Sequence, residues 1–386
     1  MNVLIVSTDF PPYSSGGGGQ NRMLLDAESL AASGAKVTVV CGRAKRPSIS
    51  LAKGIEVIRV YFPDIPPHSL WFQVANRAFI LKLAKKADVV YAYAWSCSLL
   101  AKSIRAMGIP FLVRLAGLPK LNVTNLFKAG LSNTTISEVI FFFGLGPVYS
   151  YLLSRDIYDS THILLDSRHI GEALERVYHC SVQSKSTVIE HAYTSHETGC
   201  DRIEDTKKTI VFVGRLVSTK GVLDLLRAFS ILKERFGYSE CRLVLIGEGP
   251  MRQRLRKESI RLGCSDSVFL LGRLELDGVE NTLRRSKVFV LPSYNESASV
   301  ALSEAMSFGL PVVVPRLPWA IEQTLGYEPK CYFTIGDVQD LAGCLLKMLS
   351  LPLVIRPNIK HQINDVAKMN IVKLLEILAQ QKKSLA

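Results

Sequence analysis

Short runs of β-branched and other apolar residues alternate with longer amphipathic segments along nearly the whole 386-residue chain. A period of two or an unbroken apolar run marks a strand, and a period near 3.6 marks a helix, so the alternation predicts βα units around parallel sheets. In the first half the strands are expected at Val3–Val6, Lys36–Val40, Val57–Tyr61, Val89–Tyr91, Phe111–Arg114, Ile163–Leu165 and Thr187–Glu190. Helical patterns lie between them at Asn21–Ala32, Leu70–Lys86, Leu99–Met107 and Arg168–Val177. A polar stretch, Thr194–Lys208, breaks the rhythm, and strands resume at Thr209–Val213, Arg242–Ile246, Val268–Leu271, Val288–Leu291 and Pro311–Val314. The expected organisation is an α/β chain with one parallel-sheet domain over residues 1–193, a linker over 194–208 and a second such domain over 209–360. Residues 361–386 should supply a helix packed on a neighbouring domain, since Val366, Met369, Ile371, Leu374, Leu375, Ile377 and Leu378 recur at helical spacing.

Length agrees with two domains of ordinary size. The apolar fraction of 48% and charged fraction of 21% are those of a folded globular protein. A formal charge of +13 favours anionic partners. No zinc-finger spacing or RNP-like string accompanies it, so no nucleic-acid role is expected. The eight cysteines are dispersed without a CxxC pair and read as small core residues in a reducing cytosol. The run Met1–Val6 lacks a basic leader and predicts a first strand instead of a signal peptide, hence a cytoplasmic protein. The most apolar stretch, Val139–Leu153, is interrupted by Gly144, Gly146 and Pro147 and is too short to span a bilayer. It reads as a buried helix or as a hydrophobic surface for a lipid acceptor. Trp71–Lys82 with Lys85 and Lys86 forms an amphipathic basic segment, suited either to solvent or to peripheral contact with an anionic membrane at its inner face.

Three loops carry candidate chemistry. Pro11–Gly19 runs from a strand through glycines into a helix, an arrangement in which backbone N–H groups and a helix N-terminus can meet a pyrophosphate. GxGxxG and the P-loop lysine are both absent, and a merely flexible loop fits the same residues. Val211–Gly221 ends a strand in Gly214 and delivers Arg215 and Lys220 where α/β sheets bind ligands; solvated charges are the plain alternative. Pro292–Met306 follows another strand and places seven residues between Glu296 and Glu304. On one continuous helix the two would point about 80° apart. A loop Glu296 and a helical Glu304 can instead face a single site, where carboxylates accept hydrogen bonds from polyol hydroxyls.

Taken together, these strings resemble the retaining glycosyltransferases of family four, from residue 1 to about 350 and more closely in the second half. The resemblance implies a GT-B fold, two Rossmann-like parallel-sheet domains facing a central cleft. It implies a nucleotide-diphosphate sugar donor, with Gly17 and Gly18 approaching its phosphates and Arg215 and Lys220 neutralising the leaving diphosphate. The family's Glu-x7-Glu element falls on Glu296, implied to contact the transferred sugar, and on Glu304, implied to hold the ribose hydroxyls. Gly214, Ser297, Ala298, Ser299 and Val300 are implied on the donor side, with Arg273 against the base. Glu322 falls where another family glutamate sits, and Asp337 at a structural position. Two departures lie in the first half: Ala116–Gly117 stands where the family commonly has His-Gly, and His191–Ala192 where it has Asn-Gly.

The implied reaction moves a sugar to an acceptor hydroxyl with retention, Glu296, Arg215 and Lys220 being the catalytic residues. The context suggested is synthesis of a lipid-linked glycan or polysaccharide. The two cations and the glycine-loop amides remove the need for a metal ion, in keeping with the missing Asp-x-Asp motif, and no other cofactor is implied. A second reading is a non-catalytic nucleotide-sugar-binding subunit whose acceptor side has degenerated, motivated by Ala116 and His191–Ala192. A third, an epimerase on the same fold, is disfavoured by the Glu-x7-Glu string.

Overall fold

The computed structural model describes residues 1–10, 18–42, 54–115, 139, 141–189, 208–352 and 371–378. Contacts divide the chain into two units: Met1–Lys120, Leu145–Thr194 and Gln362–Ala386 in the first, Leu121–Gly144 and Ser195–His361 in the second. The partition therefore crosses the sequence boundary twice. A short range of the first half groups with the second unit, and the C-terminal range groups with the first. Such exchanges depend on long-range contacts, so which unit each range joins is not written in local periodicity.

In the first unit the order is β1 (Asn2–Ser7), α1 (Gly18–Ala32), β2 (Lys36–Gly42), β3 (Ile55–Val60), α2 (His68–Ala75), α3 (Arg77–Ala84), β4 (Val89–Tyr93), α4 (Ala101–Ala106) and β5 (Phe111–Leu115). A π-helical turn at Phe141–Leu145 leads into α5 (Gly146–Asp159), followed by β6 (His162–Leu165), α6 (Arg168–Tyr178) and β7 (Ser186–Val188). The seven strands form a parallel sheet in the order β3-β2-β1-β4-β5-β6-β7. Val3, Ile5, Val37, Val39, Val89, Tyr91 and Leu112 pack with Met23, Ala27 and Leu30 of α1. The helix over 371–378, α13, adds Ile371, Leu375 and Leu378 to that same core.

The amphipathic stretch expected as a single helix over Leu70–Lys86 is broken into α2 and α3. Asn76 leaves the helical region at φ −114°, ψ 13°, and its side-chain amide donates to the carbonyls of Tyr61 and Phe72. An asparagine amide competing with the helix ladder is a local effect that hydrophobic spacing does not report. Within the apolar stretch Val139–Leu153, α5 buries Leu152 and Leu153 and leaves Tyr151 exposed; Phe143, in the preceding turn, is exposed as well. No helix among the described residues is long and apolar enough to cross a membrane.

The second unit runs β8 (Thr209–Val213), α7 (Val222–Phe236), β9 (Arg242–Ile246), α8 (Arg252–Arg261), β10 (Val268–Gly272), α9 (Leu276–Arg285) and β11 (Val288–Val290). It closes with α10 (Val300–Ser307), β12 (Val312–Pro315), α11 (Pro318–Gln323), β13 (Lys330–Phe333) and α12 (Val338–Leu349). Its six parallel strands lie in the order β10-β9-β8-β11-β12-β13. β8, β11 and β12 are buried almost throughout, as strands covered on both faces require. β13 was missed by the sequence pattern: it is a half-buried edge strand, Lys-Cys-Tyr-Phe, with no alternation to betray it. Asp337 caps α12, its carboxylate accepting from the backbone N–H groups of Gln339 and Asp340 at 3.0 Å.

The cysteines need one correction. Cys331 of β13 and Cys344 of α12 are joined as a disulfide with Cα atoms 5.7 Å apart. Cys41, Cys97, Cys241 and Cys264 are buried thiols as expected, and Cys180 is half-buried. The pairing arises because α12 folds back beside β13, a return that spacing in the sequence does not disclose.

Candidate active site

Strand order reverses between β8 and β11 in the second unit, because β9 and β10 build outward on one side and β12 and β13 on the other. Loops leaving the carboxyl ends of two such neighbours diverge to opposite faces and open a crevice, the usual ligand position in a doubly wound sheet. The loop after β8 holds Gly214, Arg215 and a 3₁₀ turn, Ser218–Lys220. The loop after β11 holds Pro292 to Ser299 and ends at α10.

These loops are locked together by backbone contacts. Tyr294 N–H donates to Thr219 C=O at 2.9 Å, and the Tyr294 hydroxyl to the Asp224 carboxylate at 2.9 Å. Gly221 has φ +65°, and a Cβ there would stand 2.1 Å from the Pro292 carbonyl oxygen, so only glycine fits. Gly247, after β9, has φ +134° and would drive a Cβ to 1.9 Å from the Gly214 carbonyl oxygen. The edge of the sheet is thus a close-packed backbone surface without side-chain bulk.

On that surface the Lys220 ammonium meets Glu296 Oε1 directly, both side chains being less than one-fifth exposed. Sequence separation between them is 76 residues, and the pairing of β8 with β11 brings them into contact. Beyond Glu296, Gln323 of α11 clamps the start of α10. Its amide donates to Ser299 C=O at 2.6 Å and to Ser303 Oγ at 2.7 Å, while its carbonyl accepts from Ser299 N–H at 2.8 Å. Ser299 Oγ in turn accepts from Leu302 N–H at 3.2 Å. The first turn of α10 contains no acidic residue, so its partial positive charge is uncompensated within that turn, and the loop bearing Glu296 leads directly into it.

Among the other residues singled out from sequence, Ser297, Ala298 and Val300 are half-buried in this same segment, and Glu304 is half-buried on α10. Gly214 ends the β8 strand, and Gly214 N–H donates to Ile246 C=O at 3.0 Å. Arg215 and Arg273 are exposed after β8 and β10, in no ion pair among the described residues. Glu322 is half-buried on α11. Gly18 opens α1, whereas Gly17, Ala116, Gly117, His191 and Ala192 lie outside the described residues, as does most of the 194–208 linker. Gln323, Asp224 and Tyr294 went unmarked in the sequence. Tyr294 sits two residues before Glu296 and was open to notice; Gln323 acts on residues 20 and 24 positions away and carries no local signal.

The first unit holds a second group of buried charges. Arg114 of β5 is fully buried and bridges two carboxylates, donating to Asp26 Oδ2 at 3.0 Å and to Asp166 Oδ1 at 2.7–2.8 Å. Asp26 also accepts from Arg22 Nε at 3.1 Å and from the Tyr91 hydroxyl at 2.7 Å. Burial works to lower the Arg114 pKa, yet the charges of Asp166 and Asp26 more than offset it and hold the guanidinium firmly protonated. For Arg22, burial lowers the pKa, and the neighbouring Arg114 charge lowers it further.

The comparisons with known proteins fall in two parts. Residues 17–140 match the model of the glycosyl transferase 4-like domain, and residues 201–367 match that of glycosyl transferases group 1. An uncharacterized glycosyltransferase of Methanocaldococcus jannaschii is 26% identical over 340 residues, covering 83% of this chain and 82% of its own. This chain is a glycosyltransferase of the GT-B type. The sucrose-phosphate synthase of Thermosynechococcus elongatus superposes on this transferase with a TM-score of 0.70 at 18% identity, over 100% of this chain and 97% of that one. Anabaena HepE, solved in complex with UDP-glucose, gives a TM-score of 0.63 at 15% identity, over 100% and 99%. Both likenesses bear on the fold, and both agree with two parallel-stranded α/β units.

Proposed function

We propose that this transferase takes a sugar from a nucleotide-diphosphate donor held by the second unit and passes it to an acceptor hydroxyl with retention, in the manner of family four. The observation carrying the proposal is the meeting of Lys220 and Glu296 at the β8/β11 switch point, beside the N-terminus of α10. Lys220, the exposed Arg215 and the α10 amides supply positive charge where a departing diphosphate gains negative charge. Glu296 offers an acceptor to the hexose hydroxyls, Glu304 to the ribose, and the segment around Arg273 a wall for the base. Charge from these groups makes a metal ion unnecessary. Retention then follows from attack on the face the leaving phosphate vacates, assisted by that phosphate. The UDP-glucose held by HepE, a protein of the same fold, supports a uridine donor as the first to try.

The test is a thermal-shift series with uridine-, guanosine- and adenosine-diphosphate sugars in excess chelator. One base should raise the melting temperature, by an amount that grows logarithmically with ligand concentration. Stabilisation only after metal is restored would overturn the metal-free reading. Stabilisation without sugar transfer to any acceptor would favour a binding subunit instead.

A peripheral contact with an anionic bilayer belongs to the same proposal. The outward face of α3 and the residues after it present Phe79, Lys82, Lys85 and Lys86, and α2 exposes Trp71 and Val74. Each lysine near an anionic surface contributes about 1 kcal/mol. Sedimentation with phosphatidylglycerol vesicles should be lost on reversing Lys82, Lys85 and Lys86 to Glu, and binding that persists would assign the face to solvent.

A further inference from the structure

The first unit has its own switch point, between β1 and β4, from which β2 and β3 build one way and β5 to β7 the other. At its carboxyl edge Thr8 N–H donates to Ser96 Oγ at 3.0 Å, tying the end of β1 to the loop after β4. That loop carries Trp95 at φ +46°, in the left-handed region, where a bulky residue is a real outlier. Three partly buried hydrogen bonds hold the conformation. Trp95 N–H donates to Asp156 at 2.6 Å, Trp95 C=O accepts from the Gln73 amide at 2.8 Å, and Leu99 N–H donates to the Gln73 carbonyl at 2.8 Å.

A glycine would occupy the position without strain, so what the fold gains there is the indole itself. The ring is half-buried, resting against Tyr149 with centroids 5.3 Å apart and planes at 57°. Asp9, one residue beyond Thr8, keeps solvent access, although partial burial raises its carboxyl above the ordinary range; the His68 charge acts in the opposite sense. Asp9 also acts electrostatically on Tyr149, and the Thr8–Ser96 hydrogen bond brings the adjoining backbone of Asp9 to the loop that carries Trp95. An aromatic face on a loop tied to a strand end that bears a carboxylate is a chemistry suited to a pyranose, whose C–H face stacks while its hydroxyls donate.

We propose that Trp95 is the stacking platform for a saccharide ring of the acceptor, bound at the β1/β4 switch point with Asp9 taking its hydroxyls. This rests on the transferase reading above and names the acceptor's class: a sugar, free or carried on a lipid, and not a bare lipid alcohol. Asp156 and Gln73 act as positioning residues. Asp156 is wholly buried, and burial pushes its carboxyl up to about 7 while the Trp95 N–H bond holds it down. Ser98 lies beside it, yet neither the Ser98 hydroxyl nor Asp156 Oδ1 makes a hydrogen bond of normal geometry.

The test uses the full chain labelled with 5-fluorotryptophan, whose three resonances, from Trp71, Trp95 and Trp319, are assigned by single Trp→Phe changes. Methyl glycosides of glucose, galactose, mannose and N-acetylglucosamine are titrated without donor. One or more should shift the Trp95 resonance and leave that of buried Trp319 in place. Because no donor is present, this readout stands even if the donor-site reading fails. In transfer assays Trp95→Gly should raise the acceptor KM about tenfold, leave donor affinity unchanged and keep the melting temperature, with Trp95→Tyr restoring most of the loss. A Trp95 resonance unmoved by all four glycosides, or an unchanged acceptor KM in Trp95→Gly, overturns the proposal.

Discussion

Lys220→Ala should lower kcat by roughly 10²–10³ while changing donor affinity far less. The ammonium is held at the switch point by Glu296 and is mostly shielded from water, where its attraction for developing negative charge is weakly screened. Charge on the diphosphate grows as the glycosidic bond lengthens, so the interaction is stronger in the transition state than in the bound donor. A structural origin for the loss, namely a Glu296 left without its partner, is separated by the double variant Lys220→Ala/Glu296→Gln. Neutralising both would repair a purely structural defect; a catalytic role predicts that kcat stays at or below the single-variant value. Single-turnover rates and equilibrium donor binding measure the two effects independently. A loss of kcat below about threefold in Lys220→Ala would remove this lysine from the chemistry.

Arg114→Met should cost about 3–5 kcal/mol of stability, because it removes from the interior the guanidinium that bridges the buried carboxylates of Asp26 and Asp166. In a unit of this size each kcal/mol moves the melting temperature by about 2–4 °C, so a fall on the order of 10 °C is expected. Replacing the carboxylates as well, in Arg114→Met/Asp26→Asn/Asp166→Asn, removes the unpaired charges and should recover much of the loss. Paired urea and thermal melts of the full chain give both numbers. A loss under about 1 kcal/mol in the single variant would mean that water reaches the network after all.

The β8/β11 site shows where reading the residues in order succeeds, whereas the Arg114 network, drawn from β5, α1 and the loop after β6, gave no local signal. Twelve of the thirteen strands among the described residues stood out as short apolar and β-branched runs, most plainly in β8, β11 and β12, where burial on both faces is written locally as continuous apolar sequence. Lys220, Glu296 and Glu304 were marked by short strings at strand ends, where chain direction and glycine placement already announce a ligand-binding loop. The split at Asn76 and the edge strand β13 escaped, since one depends on a side-chain amide capturing carbonyls and the other has too few buried positions to show a period.

What the sequence by itself determined was the alternation of strand and helix, the two-unit scale, and the residue types at the carboxyl ends of β8 and β11. Tertiary structure alone decided which strands became neighbours, and with that everything contact-dependent. It set Lys220 against Glu296, Arg114 between Asp26 and Asp166, Cys331 on Cys344 and α13 against the core of the first unit. Local periodicity reports which side of an element is apolar, whereas strand order and register arise from packing among residues far apart in the chain. The loops at the β8/β11 switch point are therefore written in short strings but assembled only by the fold.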